Sequence, residues 1–432
     1  MVITIGTLLL MMPFSTSSGQ WNDPLTALFT STSAVCVTGL IVVDTGTYFS
    51  FWGQVIILLL IQTGGLGYMT ISTLLMLLIG RKFGLGQKLA IRESFDRPLL
   101  QGSQNLIRSI IATTLLFEIT GIILMFGTFV SDFGLNQGLW LSIFHSISSW
   151  NNAGFSLFQD SLISYHSSVI VNLAISLLII FGGIGYQVIM EMSYWLKDKL
   201  TGKTTFLDFS LNFKVVTNTT LALLLLGSIL FFISEFNNPD SLAKFTIQDK
   251  IIVAWFQSVT TRTAGFNSID IGQMTTSGLF ITMGLMFIGA SPSGTGGGIK
   301  TTALSILTNC TRSVLRGQEQ VIVYRRQVSF SLILKAVAVV VGSVASIVIA
   351  TGLIAFFDPE INLIAILFEV ISAFATVGLS TGITATLSGF AKIIIILTMY
   401  IGRVGILVFM AAIFGDPLPS SLKYPEENLL VG

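Results

Sequence analysis

The chain has 432 residues, of which 52% are hydrophobic and only 10% charged, with a formal net charge of +1. A soluble domain carries about 25% charged residues because its surface faces water; at less than half that share, most of this surface must meet lipid, and disordered, collagen-like and disulfide-scaffold classes are excluded. Two cysteines, Cys36 and Cys310, are too few for a disulfide framework or a thiolate metal site.

A helix needs roughly 20 apolar residues to cross a bilayer core. Residues 2–12 are apolar but stop at Pro13, and they lack the basic region and cleavage site of a signal peptide. They read as the second half of a first span. Spans follow at 51–79, 109–130, 168–190, 215–234, 278–299, 336–357 and 390–413, which makes eight. Between them lie half-apolar stretches at 25–38, 139–153, 250–264 and 361–377, too short to cross and predicted to be re-entrant. The order span, short segment, span occurs four times.

The charges sort by side. Segments 81–108, 197–214 and 312–335 hold most of the 22 Lys and Arg. The opposite connections carry Asp44, Asp132, Asp160, Asp240, Asp270, Asp358 and Glu360. Lys/Arg excess marks the cytoplasmic side, which puts both termini there.

Each short segment ends near a glycine: Gly39, Gly154, Gly265 and Gly378, spaced at close to a quarter of the chain. An aromatic stands ten residues upstream of each (Phe29, Phe144, Trp255, Phe368), and each following span carries a further glycine cluster. The strings are Cys36-Val37-Thr38-Gly39-Leu40, Asn151-Asn152-Ala153-Gly154-Phe155, Arg262-Thr263-Ala264-Gly265-Phe266 and Ala375-Thr376-Val377-Gly378-Leu379. Four degenerate copies predict an all-α polytopic membrane protein: four pseudo-symmetric span, pore loop, span units around a central ion pore. The units run 1–80, 81–200, 201–311 and 312–432. Glycine tolerates φ > 0, so consecutive carbonyls of such a strand can all point to the axis and replace the hydration shell of a cation. The short helices would aim their negative C-terminal ends at the same place. No carboxylate ring accompanies the glycines, which favours K⁺ or Na⁺ over a divalent ion. The candidate ion-binding residues are Val37, Thr38, Gly39, Asn152, Ala153, Gly154, Thr263, Ala264, Gly265, Thr376, Val377 and Gly378, with K⁺ at their carbonyls.

On these four loops, the Gly-rich interruption of the sixth span, Arg403 in the last span and the ending Glu426-Glu427-Asn428-Leu429-Leu430-Val431-Gly432, the chain resembles the Trk/Ktr/HKT potassium transporters over essentially its whole length. The resemblance implies K⁺ uptake across the bacterial cytoplasmic membrane through a filter like that of K⁺ channels. Thr376-Val377-Gly378-Leu379 is the copy nearest the TVGYG signature; the other three keep only the glycine firmly, so Na⁺ sensitivity is expected. It also implies a homodimer with one pore per subunit. A cytosolic regulatory ring of the RCK/KTN type, carrying ATP or ADP, would dock on the basic loops. The tail 416–432, with its apolar end, would fit a buried dimer contact.

Residues 289–300 interrupt their span with five glycines and three Ser or Thr. A nucleotide P-loop is excluded because Ile299, not glycine, precedes Lys300, and no strand pattern comes before it. The reading is either a passive helix break or, by resemblance, an intramembrane gating loop comprising Gly289, Ser291, Ser293, Gly294, Gly296, Gly297, Gly298 and Lys300. Arg403 lies near the middle of the last span, where an arginine costs on the order of 2.5–3.5 kcal/mol. It either pairs with Glu118 or Glu369, or faces the pore and holds the loop. Arg262 is expected at the pore mouth, solvated or paired with Asp270 or Glu360. Lys300 is read as snorkelling to the interface, Asn151 and Asn152 as bracing the second loop, and His145 and His166 as ordinary polar positions.

Three rival classes fare worse. A Ser291 or Ser293 hydrolase pair with His145 or His166 would not explain four glycines in register. An inverted-repeat transporter would need halves of opposite polarity; a less selective K⁺/Na⁺ cation symporter stays as the alternative to a K⁺-selective path. A voltage-gated channel would need an arginine-striped span.

Overall fold

The computed structural model describes residues 1–67, 103–202 and 209–414. It is helical almost throughout. The first quarter holds α1 (Val2–Met11), α2 (Pro24–Val35), the single turn α3 (Thr45–Tyr48) and α4 (Phe51–Leu66). Then come α5 (Ser103–Phe133), α6 (Leu135–Trp150), α7 (Val169–Ile184) and α8 (Tyr186–Leu200). The third quarter holds α9 (Leu211–Glu235), α10 (Ile247–Thr260), α11 (Thr276–Phe287) and α12 (Thr301–Leu315). The last holds α13 (Phe330–Phe357), α14 (Leu363–Phe374), α15 (Gly389–Val404) and α16 (Ile406–Phe414).

Helix starts follow capping chemistry. Asp23, Ser50, Ser168, Ser210, Thr246, Thr275, Asn362 and Ser388 each accept a hydrogen bond from a backbone N–H of the helix they precede. Such a cap supplies one of the partners that a helix end lacks, which matters more in lipid than in water. The three long helices α5, α9 and α13 are apolar enough to cross a membrane, and α13 is exposed along most of its length. The short helices α2, α6, α10 and α14 occupy the four re-entrant stretches, each packed against the long helix before it or, for α2, against α1.

The second helix of each set departs from a continuous span. α7 and α8 meet at 104°, at Gly185, whose φ of +93° an L side chain rarely adopts. Gly405, at φ +89°, separates α15 from α16 in the same way, and α4 ends at Gly67, at φ +78°. The predicted spans 168–190 and 390–413 are therefore each two helices. The part of 51–79 beyond Gly67, most of 81–108 and the tail 416–432 lie outside the described residues. A two-residue hairpin, Ile322–Val323 with Arg326–Gln327, stands inside the basic segment 312–335, where Tyr324 and Arg325 both take positive φ.

Candidate functional site

The four short helices end at one centre. Four residues or so beyond each, Gly39, Gly154, Gly265 and Gly378 lie against one another in a closed ring. A Cβ on Gly39 would stand 2.9 Å from Gly154 Cα; one on Gly154, 3.1 Å from Gly265 Cα and 2.7 Å from Ala264 O. A Cβ on Gly265 would stand 3.1 Å from Gly378 Cα, and one on Gly378 3.0 Å from Gly39 Cα, which closes the circuit. Their φ values are +88°, +71°, +80° and +92°.

Two residues before each glycine the backbone is left-handed again, at Val37 (φ +50°), Asn152 (+56°), Thr263 (+67°) and Thr376 (+52°). Three of these are β-branched, the worst side chains for that region. Such strain costs of order 1–3 kcal/mol per residue and persists only where the surroundings over-determine it. The surroundings do so here with one repeated bond. The N–H groups of Thr38, Ala153, Ala264 and Val377 donate to the carbonyls of Ser33, Ser148, Thr260 and Ser372 at 2.8, 2.8, 3.0 and 2.8 Å. Ser33 Oγ and Ser372 Oγ also accept from the N–H of Gly39 and Gly378, both at 3.1 Å, and Ser148 Oγ donates to Phe155 O. Val37, Thr38, Asn152, Ala153, Thr263, Ala264, Thr376 and Val377 are fully buried.

The third strand keeps this arrangement with one residue fewer. Thr260 is five residues before its glycine, whereas Ser33, Ser148 and Ser372 are six before theirs. The buried aromatic accordingly is Phe256, not Trp255, which is only partly buried; Phe29, Phe144 and Phe368 are as expected. A fixed ten-residue spacing could not show a shift of register.

Residues 289–300 pack against the ring from one side. Gly289 N–H donates to Ile299 O and Ala290 N–H to Gly297 O, so the loop closes on itself at its root. Ser291 and Thr295 N–H donate to Gly183 O and Gly182 O at 3.0 and 3.1 Å, and Tyr186 N–H to Ser293 O. Gly297 N–H donates to Thr376 Oγ1 at 2.9 Å, and Gly296 lies on the Thr263 side chain, so the loop touches two of the strands directly. Ser291 is buried and bonded to Thr301 Oγ1; Ser293 and Gly294 are half-buried, and Gly298 takes φ +70°.

Three cations serve this loop through backbone oxygens; Lys300 and Arg262 depart from expectation, and Arg403 departs from one of its two readings. Arg403 Nη1 donates to Thr295 O and Nη2 to Gly64 O, so it tethers the loop to α4 and is not paired with Glu118 or Glu369. Lys300 Nζ turns back to Gly296 O at 2.8 Å instead of reaching outward. Arg262 is buried, with Nη2 on Gly289 O at 3.2 Å, and is paired with neither Asp270 nor Glu360. In apolar surroundings a helix-end or loop carbonyl needs such a donor as much as the cation needs an acceptor, which is why no carboxylate was required.

The buried carboxylates have other work. Glu369 accepts from Ser380 Oγ, Thr381 N–H (3.2 Å) and Thr384 Oγ1 (3.0 Å), which ties α14 to the segment after Gly378. Glu235 accepts from Thr275 N–H and Oγ1, Asn238 Nδ2 and Ser241 Oγ. Neither cluster was visible in the sequence, since the partners lie up to 40 residues away. His145 holds Leu141 O and Ser156 Oγ, and no group of three or more His, Cys, Asp or Glu able to hold a metal occurs among the described residues. Asn151 Nδ2 reaches Gln62 Oε1 and Ile147 O, and Asn152 lies beside Gly183.

Comparison with known proteins places the chain in a family. The family described as TrkH, cation transport protein, matches residues 1–419. Ktr system potassium uptake protein B of Bacillus subtilis strain 168 is 39% identical over 100% of this chain and 94% of its own length. Potassium/sodium uptake protein NtpJ of Enterococcus hirae is 36% identical over 100% and 95%. The crystal structure of the potassium transporter TrkH from Vibrio parahaemolyticus superposes with a TM-score of 0.73 over 96% of this chain and 84% of that one; at 16% identity the likeness is one of fold. The chain belongs to the TrkH family of cation transport proteins.

Proposed function

We propose that the protein takes up potassium across the bacterial cytoplasmic membrane through a filter formed by 37–39, 152–154, 263–265 and 376–378. The observation that carries this reading is the closed ring of four glycines, each preceded at two residues by a second left-handed residue. A strand that is left-handed at alternate positions turns successive carbonyls to one side, the arrangement that dehydrates a monovalent cation. The converging helix C-termini add negative potential at the same point. The Gly-rich loop at 289–300, held by Arg403, Lys300 and Thr376, is the gate. Basic segments face the cytoplasm, as do both termini, and the four units run 1–80, 81–200, 201–311 and 312–432.

Regulation comes from a cytosolic RCK-type ring carrying ATP or ADP on the basic face, and the protein works as a homodimer joined in part by the tail 416–432. The relatives named Ktr system proteins favour a partner subunit, and the relative named a potassium/sodium uptake protein favours Na⁺ sensitivity. Three strands lack the Thr-Val-Gly string, which also favours less strict selection against Na⁺.

The test is rescue of a K⁺-uptake-deficient bacterium at low K⁺, with and without Na⁺, by the chain and by Gly→Ser variants at each ring glycine. Rescue by the parent and loss of K⁺ preference at all four positions is expected. Tolerance at all four removes the filter.

A further inference from the structure

In three of the four sets, the helix after the ring is pinned to the short helix before it by bare backbone. Gly64 lies against Val35 O, Gly182 against Trp150 O and Gly402 against Phe374 O, in each case so closely that a Cβ would fall on the oxygen. Val35, Trp150 and Phe374 are the last residues of their helices. This contact has no moving part, and any side chain on the glycine would force the two helices apart.

The third set lacks that contact. Its matching glycine, Gly289, meets Gly297 and Gly298 of its own loop. The short helix α10 also stops earlier, one residue having been lost between Thr260 and Gly265. What joins the two elements is a side chain: Arg262 Nη2 to Gly289 O. Arg262 stands three residues before its glycine, where the other strands have Cys36, Asn151 and Ala375 as helix caps. Its Nη1 is buried with no partner among the described residues, beside a void of about 10 Å³ lined by Thr220, Val259, Gly183 and Ala290.

We infer that Arg262 is a positioning residue of the gate: a releasable tether between the third filter strand and the root of loop 289–300, in place of the fixed backbone contact of the other three. A single charged hydrogen bond joins the third strand to the root of the loop, where the other three sets have a fixed backbone contact, and its release needs no repacking of helices. A guanidinium with Nη2 engaged and Nη1 idle is suited to this, since rotation exchanges one nitrogen for the other on the same carbonyl at little cost. The inference rests on the reading of 289–300 as a gate, and adds the residue that ties it to the filter.

The experiment uses the full chain in phospholipid vesicles, as parent, Arg262→Lys and Arg262→Gln. Two measurements are made: amide hydrogen exchange across 289–300, and K⁺ and Na⁺ flux without any partner subunit. Ser291, Thr295 and Gly297 N–H are bonded to groups outside the loop, on α7 and the fourth strand, and report its release. Arg262→Gln is expected to raise their exchange by roughly tenfold, the loss of one charge-assisted hydrogen bond, and to raise K⁺ flux with the K⁺/Na⁺ ratio unchanged. Arg262→Lys, which keeps the charge and a donor, is expected to restore most of the protection. Exchange and flux equal to the parent in both variants overturns the tether. So does a fall in K⁺/Na⁺ ratio with loop exchange unchanged, which would make Arg262 part of the filter. Exchange reads the loop independently of ion flow, so its rise with no change in flux would sink the gate reading and leave the tether standing.

Discussion

The loops ending at Gly39, Gly154 and Gly378 and the loop ending at Gly265 share a ring but not their supports. In the first three, six residues separate a buried serine from the glycine, and the following helix is pinned by a glycine on a carbonyl. In the loop ending at Gly265, third in sequence and third around the ring, the spacing is five and the pin is an arginine. The following helix also changes. Its two marked glycines, Gly289 and Gly298, lie nine residues apart, where Gly64 and Gly67, Gly182 and Gly185, and Gly402 and Gly405 lie three apart. Fourfold sameness is kept where the four glycines meet backbone to backbone at positive φ, because one changed dihedral there breaks the ring. Asymmetry is confined to the shell behind it, where one of four supports is a side chain, which on the proposed reading moves without altering the ring itself.

The largest effect should come from adding a methyl to the ring. In Gly265→Ala the Cβ falls on Val377 O and 3.1 Å from Gly378 Cα, both backbone, at φ +80°. Left-handed strain alone costs about 1–2 kcal/mol, and the backbone clash cannot relax within one strand. K⁺ uptake should fall by about tenfold or more and the K⁺/Na⁺ ratio with it. A variant with parental selectivity would show that the ring is packing and not filter.

Arg403→Ala tests the loop's far tether. It leaves Thr295 O without its arginine donor and Gly64 O with the Gly67 N–H alone, and should release the loop, raising K⁺ flux by several-fold up to about tenfold at the worth of a charged hydrogen bond. The ring is untouched, so selectivity should hold. Unchanged flux would place Arg403 outside the ion path.

Thr376→Val is smaller and more local. It keeps the β-branched shape that the strand accepts and removes only the oxygen on which Gly297 N–H rests. A buried N–H left unpaired costs about 1–3 kcal/mol, so loop exchange should rise less than on loss of both Arg403 bonds. If selectivity shifts instead, Thr376 serves the ring and not the loop.

Much of this was legible in the sequence because a ring imposes periodicity, and periodicity survives without any contact being known. The four short helices, the four glycines and the polar insert at 289–300 each follow from spacing and composition. The breaks at Gly185 and Gly405 were hidden because a glycine in an apolar run reads equally as helix packing or as a bend; only its φ distinguishes them. The Ser33, Ser148 and Ser372 support could have been found as a serine six residues before the glycine, but Thr260 breaks the pattern by one residue. The partners of Arg262 and Arg403 were unreadable for a simpler reason. They are backbone carbonyls, which every residue has, so no residue type in the sequence marks them.

The weakest expected effect bounds the argument from the other side. Gly352 lies inside the lipid-exposed helix α13, with ordinary helical φ and nothing within 4 Å of the place a Cβ would take. If glycine content as such mattered, through flexible helices, Gly352→Ala should disturb transport. On the present account only glycines under a neighbouring backbone, or at positive φ, are constrained. Alanine at 352 should therefore leave flux and K⁺/Na⁺ ratio at parental values. Helix stability should rise by up to about 1 kcal/mol, seen as a slightly later thermal unfolding. A transport defect there would mean that α13 bends during the cycle, and the division between a rigid ring and one mobile support would have to extend to the outer helices.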